Sequence, residues 1–354
     1  MDVARWLLSA ALGASLAWGA ARASADVLPC PVDDALSEAA AALVAGSAAP
    51  TAAAVTRAAR DAGSDATAIH ALRVSLGDAR STARIARWLA DLRTRADAPL
   101  ACGSAEGSGG QLVLATARGG ALDDVASDEM RARLAPGFDA PQIVLMDAAG
   151  ELVRLDASAA ELSAGFSVPS ELARPVVVQL VARGPAGPRP VAERVVALSS
   201  PTAAPASAPE DRADASRRVD LVLAERLEEL RERHGASPVR PNALLARAAA
   251  SHARAVCDQG RVVHSLRPGA DPEARLAQAG IRARVVGEAV ARSRTPLDAL
   301  SAIVRSPSHR WTLVDPRFTD AGIGVARARD SHTCLVVLLA AWPRVGPRAV
   351  SRQP

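Results

Sequence analysis

The sequence contains no tyrosine, three phenylalanines and five tryptophans, so aromatic residues make up 2% of its 354 residues. Lysine is absent as well, and asparagine occurs once, at Asn242. The missing lysine bears on the charge. A net charge of +4 and an isoelectric point near 9.4 raise nucleic acid or an anionic surface as partners. Histidine apart, every basic side chain is an arginine, scattered among carboxylates without a basic stripe, interleaved aromatics or a nucleic-acid-binding module. Nucleic-acid binding is excluded on that ground. There is no Gly-x-Ser-x-Gly elbow, which removes serine catalysis of the α/β-hydrolase type. No two of the four cysteines are as closely spaced as zinc sites require. Beyond the N-terminus, no apolar run approaches the ~20 residues of a membrane-spanning helix, so an integral membrane protein is not expected.

What is present begins with that N-terminus, "MDVARWLLSAALGASLAWGAARASA". Arg5, an apolar run from Trp6 to about Ala20 and the small-residue site Ala23-Ser24-Ala25 predict a signal peptide over 1–25, cleaved near Ala25. The mature chain is then extracellular or periplasmic. Cys30 follows a proline where lipid attachment needs a small residue, so lipidation is not expected. Export places Cys30, Cys102, Cys257 and Cys334 where disulfides persist. Of the three possible connectivities, pairing within each half, Cys30 with Cys102 and Cys257 with Cys334, is the simplest.

The length suits two domains of roughly 150 residues each. Residues 26–198 read as an N-terminal module of unknown role. It is helical in pattern over 33–97, most clearly from Asp78, where Ile85, Trp88, Leu89 and Leu92 share one face. From Gln111 to Leu198 follow short apolar runs with turn signals, among them "RPVVVQLVARG" and a hairpin around Gly150, which predict a small antiparallel β unit. With His70 as its one histidine, this module reads as structural or binding. The Pro-, Ala- and Ser-rich stretch 199–214 reads as a linker. Residues 215–345 form the second domain and 346–354 a tail.

The second domain begins with a helix bearing Val219, Val222, Leu223, Leu227 and Leu230 and stopped by Gly235. A helix from about Asn242 to Asp258 follows, with His252 on its packed face. Asp271-Pro272 opens a short helix closed by Gly280, "VVGEAVARS" is a brief strand or turn, and Thr295-Pro296 opens another helix. "DAGIGVARARD" and "HTCLVVLLAAWP" make a closing hairpin through Asp330-Ser331. Helices followed by a hairpin give an α+β class rather than repeated βαβ units.

Five of the six histidines lie beyond residue 230, and His264, Glu288 and His309 occupy special positions. Ser306 is placed to cap a helix whose first residue is Pro307, so His309 falls in the first turn. The positive end of the helix dipole favours neutral imidazole there, the form that binds a metal or accepts a proton. Two histidines and a carboxylate make either an open metal site or three polar residues satisfied on loops; their spacing fits no local metal motif.

The series His264, Glu288, Ser306-Pro307-Ser308-His309-Arg310, Asp315-Pro316-Arg317-Phe318 and Gly322-Ile323-Gly324-Val325-Ala326, with His252-Ala253, Arg275, Gly280 and Gly287, resembles the bacterial branch of the CAP superfamily. These are cysteine-rich secretory, antigen 5 and pathogenesis-related 1 proteins, also called SCP-like. The resemblance covers about Ser216 to Arg344. It implies an α-β-α sandwich with a cleft in which His264 and His309 can hold a divalent ion such as zinc. Glu288 is the first acidic cleft residue; the second falls at Ser306. Ala289, Ile303 and Ser308 stand where relatives usually carry Asn, Trp and Gly. Beside a chiefly structural domain, with the β unit of 98–198 making the important contacts, two functions stay open. One is a secreted non-enzymatic protein that binds a small apolar molecule, an envelope component, a lipid or a protein through this cleft. The other is a metal-dependent hydrolase with zinc on His264 and His309 and Glu288 as general base on a bound water.

Overall fold

The computed structural model describes residues 28–46, 50–76, 79–108, 110–126, 128–155, 157–197 and 219–342. The expected signal peptide and its cleavage site, the 199–214 linker and the 346–354 tail lie outside the described residues. The first half carries α1 (Asp34–Val44), α2 (Ala52–Asp61), β1 (His70–Val74), α3 (Ala79–Arg95), β2 (Leu100–Gly107), β3 (Gly110–Ala117), β4 (Gly120–Asp124), β5 (Glu129–Leu134), β6 (Asp139–Met146), β7 (Leu152–Leu155), α4 (Ala159–Ala164), β8 (Phe166–Ser167), β9 (Val176–Gly184) and β10 (Gly187–Val196). The second carries α5 (Val219–Arg233), β11 (Arg240–Pro241), α6 (Ala243–Gln259), α7 (Pro272–Gln278), β12 (Val285–Ser293), α8 (Pro296–Arg305), α9 (Pro307–Val314), β13 (Asp320–Arg327) and β14 (Thr333–Ala341).

The expected all-helical stretch 33–97 contains a strand, β1, and the β region starts at β2, ahead of the expected Gln111. Both misses have a physical reason. β1 is five residues long, at a sheet edge, and only its last residue, Val74, is fully buried. β2, "LACGSAEG", is made of small residues with little strand preference. They are small because α1 lies directly on them: a Cβ at Gly103 would sit 2.2 Å from the Ser37 backbone nitrogen. Cys102 of β2 is joined to Cys30, as expected.

The sheet β10-β9-β6-β7 is antiparallel throughout. One face, with Ile143, Leu145, Val176, Val178 and Leu180, packs on Leu122, Met130 and Leu162. Strand alternation puts Val144, Met146 and Gln179 on the opposite face, and these too are buried. The helix that packs against β6 and β9 on that side is α9, from the second half of the chain.

In that second half, the sheet β11-β13-β14-β12 has helices on both faces. Alternate residues of β14 divide between them: Cys334, Val336, Leu338 and Ala340 pack on Leu245, Ala249 and Val256 of α6. Leu335, Val337 and Leu339 pack on Leu223 and Leu227 of α5 and Leu300 and Ile303 of α8. That is why "TCLVVLLAA" is apolar throughout rather than alternating. It is an α-β-α sandwich, and the described chain as a whole is α+β. "VVGEAVARS" is a full nine-residue strand, β12, where a brief strand or turn was expected. The Gly-x-Gly of β13 allows α6 to touch the strand backbone, since a Cβ at Gly322 or Gly324 would come within 2.2 Å of α6 backbone atoms. Cys257 of α6 is joined to Cys334 of β14, again the expected pairing.

Candidate functional site: a histidine cleft under a foreign sheet

Glu288 enters from β12, where the strand's alternation turns it away from the α5/α8 core, and its side chain is 1% exposed. A buried carboxylate needs partners, and this one has them on both oxygens. Its Oε1 accepts from Nδ1 of His264 at 2.9 Å, and its Oε2 is paired with the Arg275 guanidinium of α7. Burial pushes the Glu288 carboxyl up, but the hydrogen bond from His264 and the charges of His264, Arg275 and His252 outweigh it, and the group is held below the usual carboxylate range. Arg275 also donates to the carbonyls of His264 and Ala270, at 2.8 Å for the latter. The loop that carries His264 is therefore tied to the sheet through one arginine.

His252, read as a packed residue of α6, is buried as expected, with Nε2 3.0 Å from the Val263 carbonyl. It also stands 3.8 Å from Glu288 Oε1, which makes it a fourth member of the cluster. Burial lowers its pKa against the opposing pull of Glu288. The His309 ring lies 6.4 Å from that of His264, centroid to centroid. Burial first, then the charge of His264, push the His309 imidazole down to about 4, so it is neutral at physiological pH. The structure thus brings His264, Glu288 and His309 into one cluster, with His264 next to both of the others and Ser306 at the start of the helix that carries His309.

Ser306 does not act as the expected cap. Its backbone is extended as an N-cap requires, yet its side chain makes no capping hydrogen bond. The cap comes from elsewhere: the side-chain carbonyl of Gln179 in β9 accepts from Ser308 N–H at 3.0 Å and from the Ser306 hydroxyl at 3.2 Å. Gln179 in turn donates to Glu193 of β10 at 2.9 Å. At the hairpin tip, Ser265 N–H donates to the Ala186 carbonyl at 3.0 Å, and a side chain at Gly187 would meet His264 Cβ at 3.2 Å. Arg154 of β7 lies over the Trp311 ring at 5.7 Å. Sequence reasoning missed Gln179. The signal was a lone polar residue inside "VVVQLV", a run apolar on both faces.

Residues 224–339 match the model of the cysteine-rich secretory protein family, CAP. This part of the chain is a CAP domain. Among solved structures, the chain is similar to an extracellular protein of Bacillus anthracis containing an SCP domain, at 20% identity over 34% of this chain and 39% of that one, TM-score 0.31. It is similar to an outer surface protein of Borrelia burgdorferi, at 20% identity over 35% of this chain and 92% of that one, TM-score 0.33. A cysteine-rich secretory protein of Staphylococcus aureus matches at 12% identity over 60% of this chain and 75% of that one, TM-score 0.27. The chain thus spans 39% of the length of the first of these. No curated protein matches it.

The CAP resemblance implies zinc on His264 and His309, and the residues present can be tested for it. With Zn–N bonds of about 2.0–2.1 Å, two imidazoles on a tetrahedral ion have ring centroids about 5 Å apart. The observed 6.4 Å is wider. Both oxygens of Glu288 are committed, to His264 and to Arg275, so it adds no third ligand, and His264 keeps only Nε2 open. Among the described residues no group of three His, Cys, Asp or Glu side chains is placed to hold a metal ion. As arranged, the CAP cleft does not fit a resident zinc. Nor is any helix among the described residues long and apolar enough to cross a membrane.

Proposed function

We propose that this is an exported, non-catalytic CAP-domain protein that recognises a partner through the cleft of His264, Glu288, Ser306 and His309. The observation that carries the reading is the double engagement of Glu288. A general base must reach a water or a substrate proton, whereas the two oxygens of this carboxylate face the His264 ring and the Arg275 guanidinium. Glu288 then serves to fix the ring of His264, with Nε2 left for a ligand. Export is supported by the N-terminal sequence and by the two disulfides, which persist in oxidising compartments. We take 26–198 as a module attached through 199–214 to the domain 215–345.

The test is metal analysis and hydrolysis assays on the purified mature chain, beside the His264→Ala/His309→Ala double variant. The expected result is no stoichiometric zinc and no cleavage of peptide, ester or glycan substrates with zinc added. Metal-dependent cleavage that Glu288→Gln abolishes would instead establish the hydrolase.

A further inference from the structure

We propose that the His264/His309 face of the CAP domain is a protein-docking surface whose resident occupant is the chain's own β9–β10 hairpin. The proposal rests on reading the cleft as the binding site, and it names what covers it. Three observations converge. The outward face of the β10-β9-β6-β7 sheet carries Val144, Met146 and Gln179, all buried although they point away from that sheet's own core. An antiparallel sheet with one solvated face would alternate apolar with polar, and "VVVQLV" does not. This sheet is built to be covered, and the helix that covers it is α9, which carries His309.

The second observation is the borrowed cap. The first N–H groups of a helix need acceptors. Ser306 stands in the capping position without capping, and the Gln179 carboxamide does so from the other half of the chain, accepting from Ser308 N–H. The third is the hairpin tip. Ala186 accepts from Ser265 N–H, and Gly187, at φ +98°, brings bare backbone against His264. A Cβ there would crowd His264 Cβ at 3.2 Å and strain a left-handed backbone position. Hairpin tip and strand together lie over the two segments that carry the cleft histidines. An outside partner must displace them, offering a carbonyl to Ser265 N–H and a second acceptor to Ser308 N–H, as a polypeptide does.

The experiment uses the full mature chain with a site-specific protease sequence placed within 203–208. After cutting, the two parts should co-elute on size exclusion. Gln179→Glu, which sets a carboxylate against Glu193, should separate them. Ser306→Tyr, made from the CAP side in case the first variant fails to fold, should do the same. In parallel, diethyl pyrocarbonate modification is followed by mass spectrometry at His309 and at the half-buried His332 of the β13–β14 turn, which lies away from the hairpin. His309 should be protected in the parent chain and modified at least about tenfold faster once the hairpin is undocked. Parts that separate without any substitution, or a parent His309 that reacts as fast as His332, overturn the proposal. Neither readout needs a ligand or an activity, so a chain found to be a hydrolase would leave this result standing.

Discussion

Both halves of the molecule lay a helix onto bare strand backbone and pin the sheet with a disulfide: α1 on Gly103 with Cys30–Cys102, α6 on Gly322 and Gly324 with Cys257–Cys334. They differ in how the remaining sheet faces are closed. The CAP sheet has α6 on one side and α5 and α8 on the other, all from its own part of the chain. The β10-β9-β6-β7 sheet packs one face on its own core and leaves the other to α9. One half is closed on itself; the other is complete only when docked. The CAP cleft lies at the place where that debt is met.

The largest effect should be the same in both halves. Sequence separations of 72 and 77 residues give each disulfide about 4 kcal/mol by loop-closure entropy. Cys30→Ala/Cys102→Ala and Cys257→Ala/Cys334→Ala should therefore lose similar stability in denaturant unfolding. A twofold inequality would show that one sheet keeps its helix without the crosslink.

Next comes pH, where the halves should part. Unfolded His309 takes up its proton near pH 6.5, whereas folded His309 refuses it until about pH 4. The folded pKa is depressed, so the contribution is present above pH 6.5 and is lost as pH falls from 6.5 towards 4. The loss is at most about 3 kcal/mol. His252 shifts in the same direction, mainly through burial. In the first half His70 is also lowered, by burial and then by the charges of Arg95 and Arg292, but it sits on an edge strand. Melting curves between about pH 7.5 and about pH 4.5 should show His309→Gln flattening the profile more than His70→Gln. Equal flattening would mean that the cleft is not the acid-sensitive part.

A smaller pair of equal effects follows from the glycines. Gly103→Ala and Gly324→Ala each push a methyl to 2.2 Å from helix backbone, and such overpacking costs about 2 kcal/mol. If Gly103→Ala is neutral in thermal unfolding, α1 does not bear on β2 as α6 bears on β13.

These glycines also mark the limit of what the sequence could tell. In the CAP half, the helix from about Asn242, the Thr295-Pro296 helix start and the closing hairpin that begins at Gly322-x-Gly324 were all legible, because each states a local rule in the residues that obey it. Gly103 obeys the same rule, but it sits in "LACGSAEG", where small residues erase the strand signal. The cleft was half legible. His264, Glu288 and His309 stood out by position and by resemblance, while the ties that decide their chemistry did not. Arg275 faces Glu288 across a loop, and Gln179 reaches α9 from 129 residues away. Such pairings are set by docking, which periodicity does not record.

The smallest effect is the most direct measure of that docking. The Ser306 hydroxyl gives Gln179 one neutral hydrogen bond at 3.2 Å, and a bond of that kind contributes about 1 kcal/mol net. Gln179→Ala alone costs more than this, because it also leaves Ser308 N–H without an acceptor. A double-mutant cycle of Gln179→Ala with Ser306→Ala removes that surplus and isolates the pair. Coupling of about 1 kcal/mol in denaturant unfolding is expected. If the coupling vanishes while Gln179→Ala remains costly, the carboxamide serves the helix cap alone and the Ser306 hydroxyl is free to meet a ligand. If both vanish, the second face of the β10-β9-β6-β7 sheet is held by its apolar residues only, and the contrast between a self-closed half and a docked half rests on Val144 and Met146.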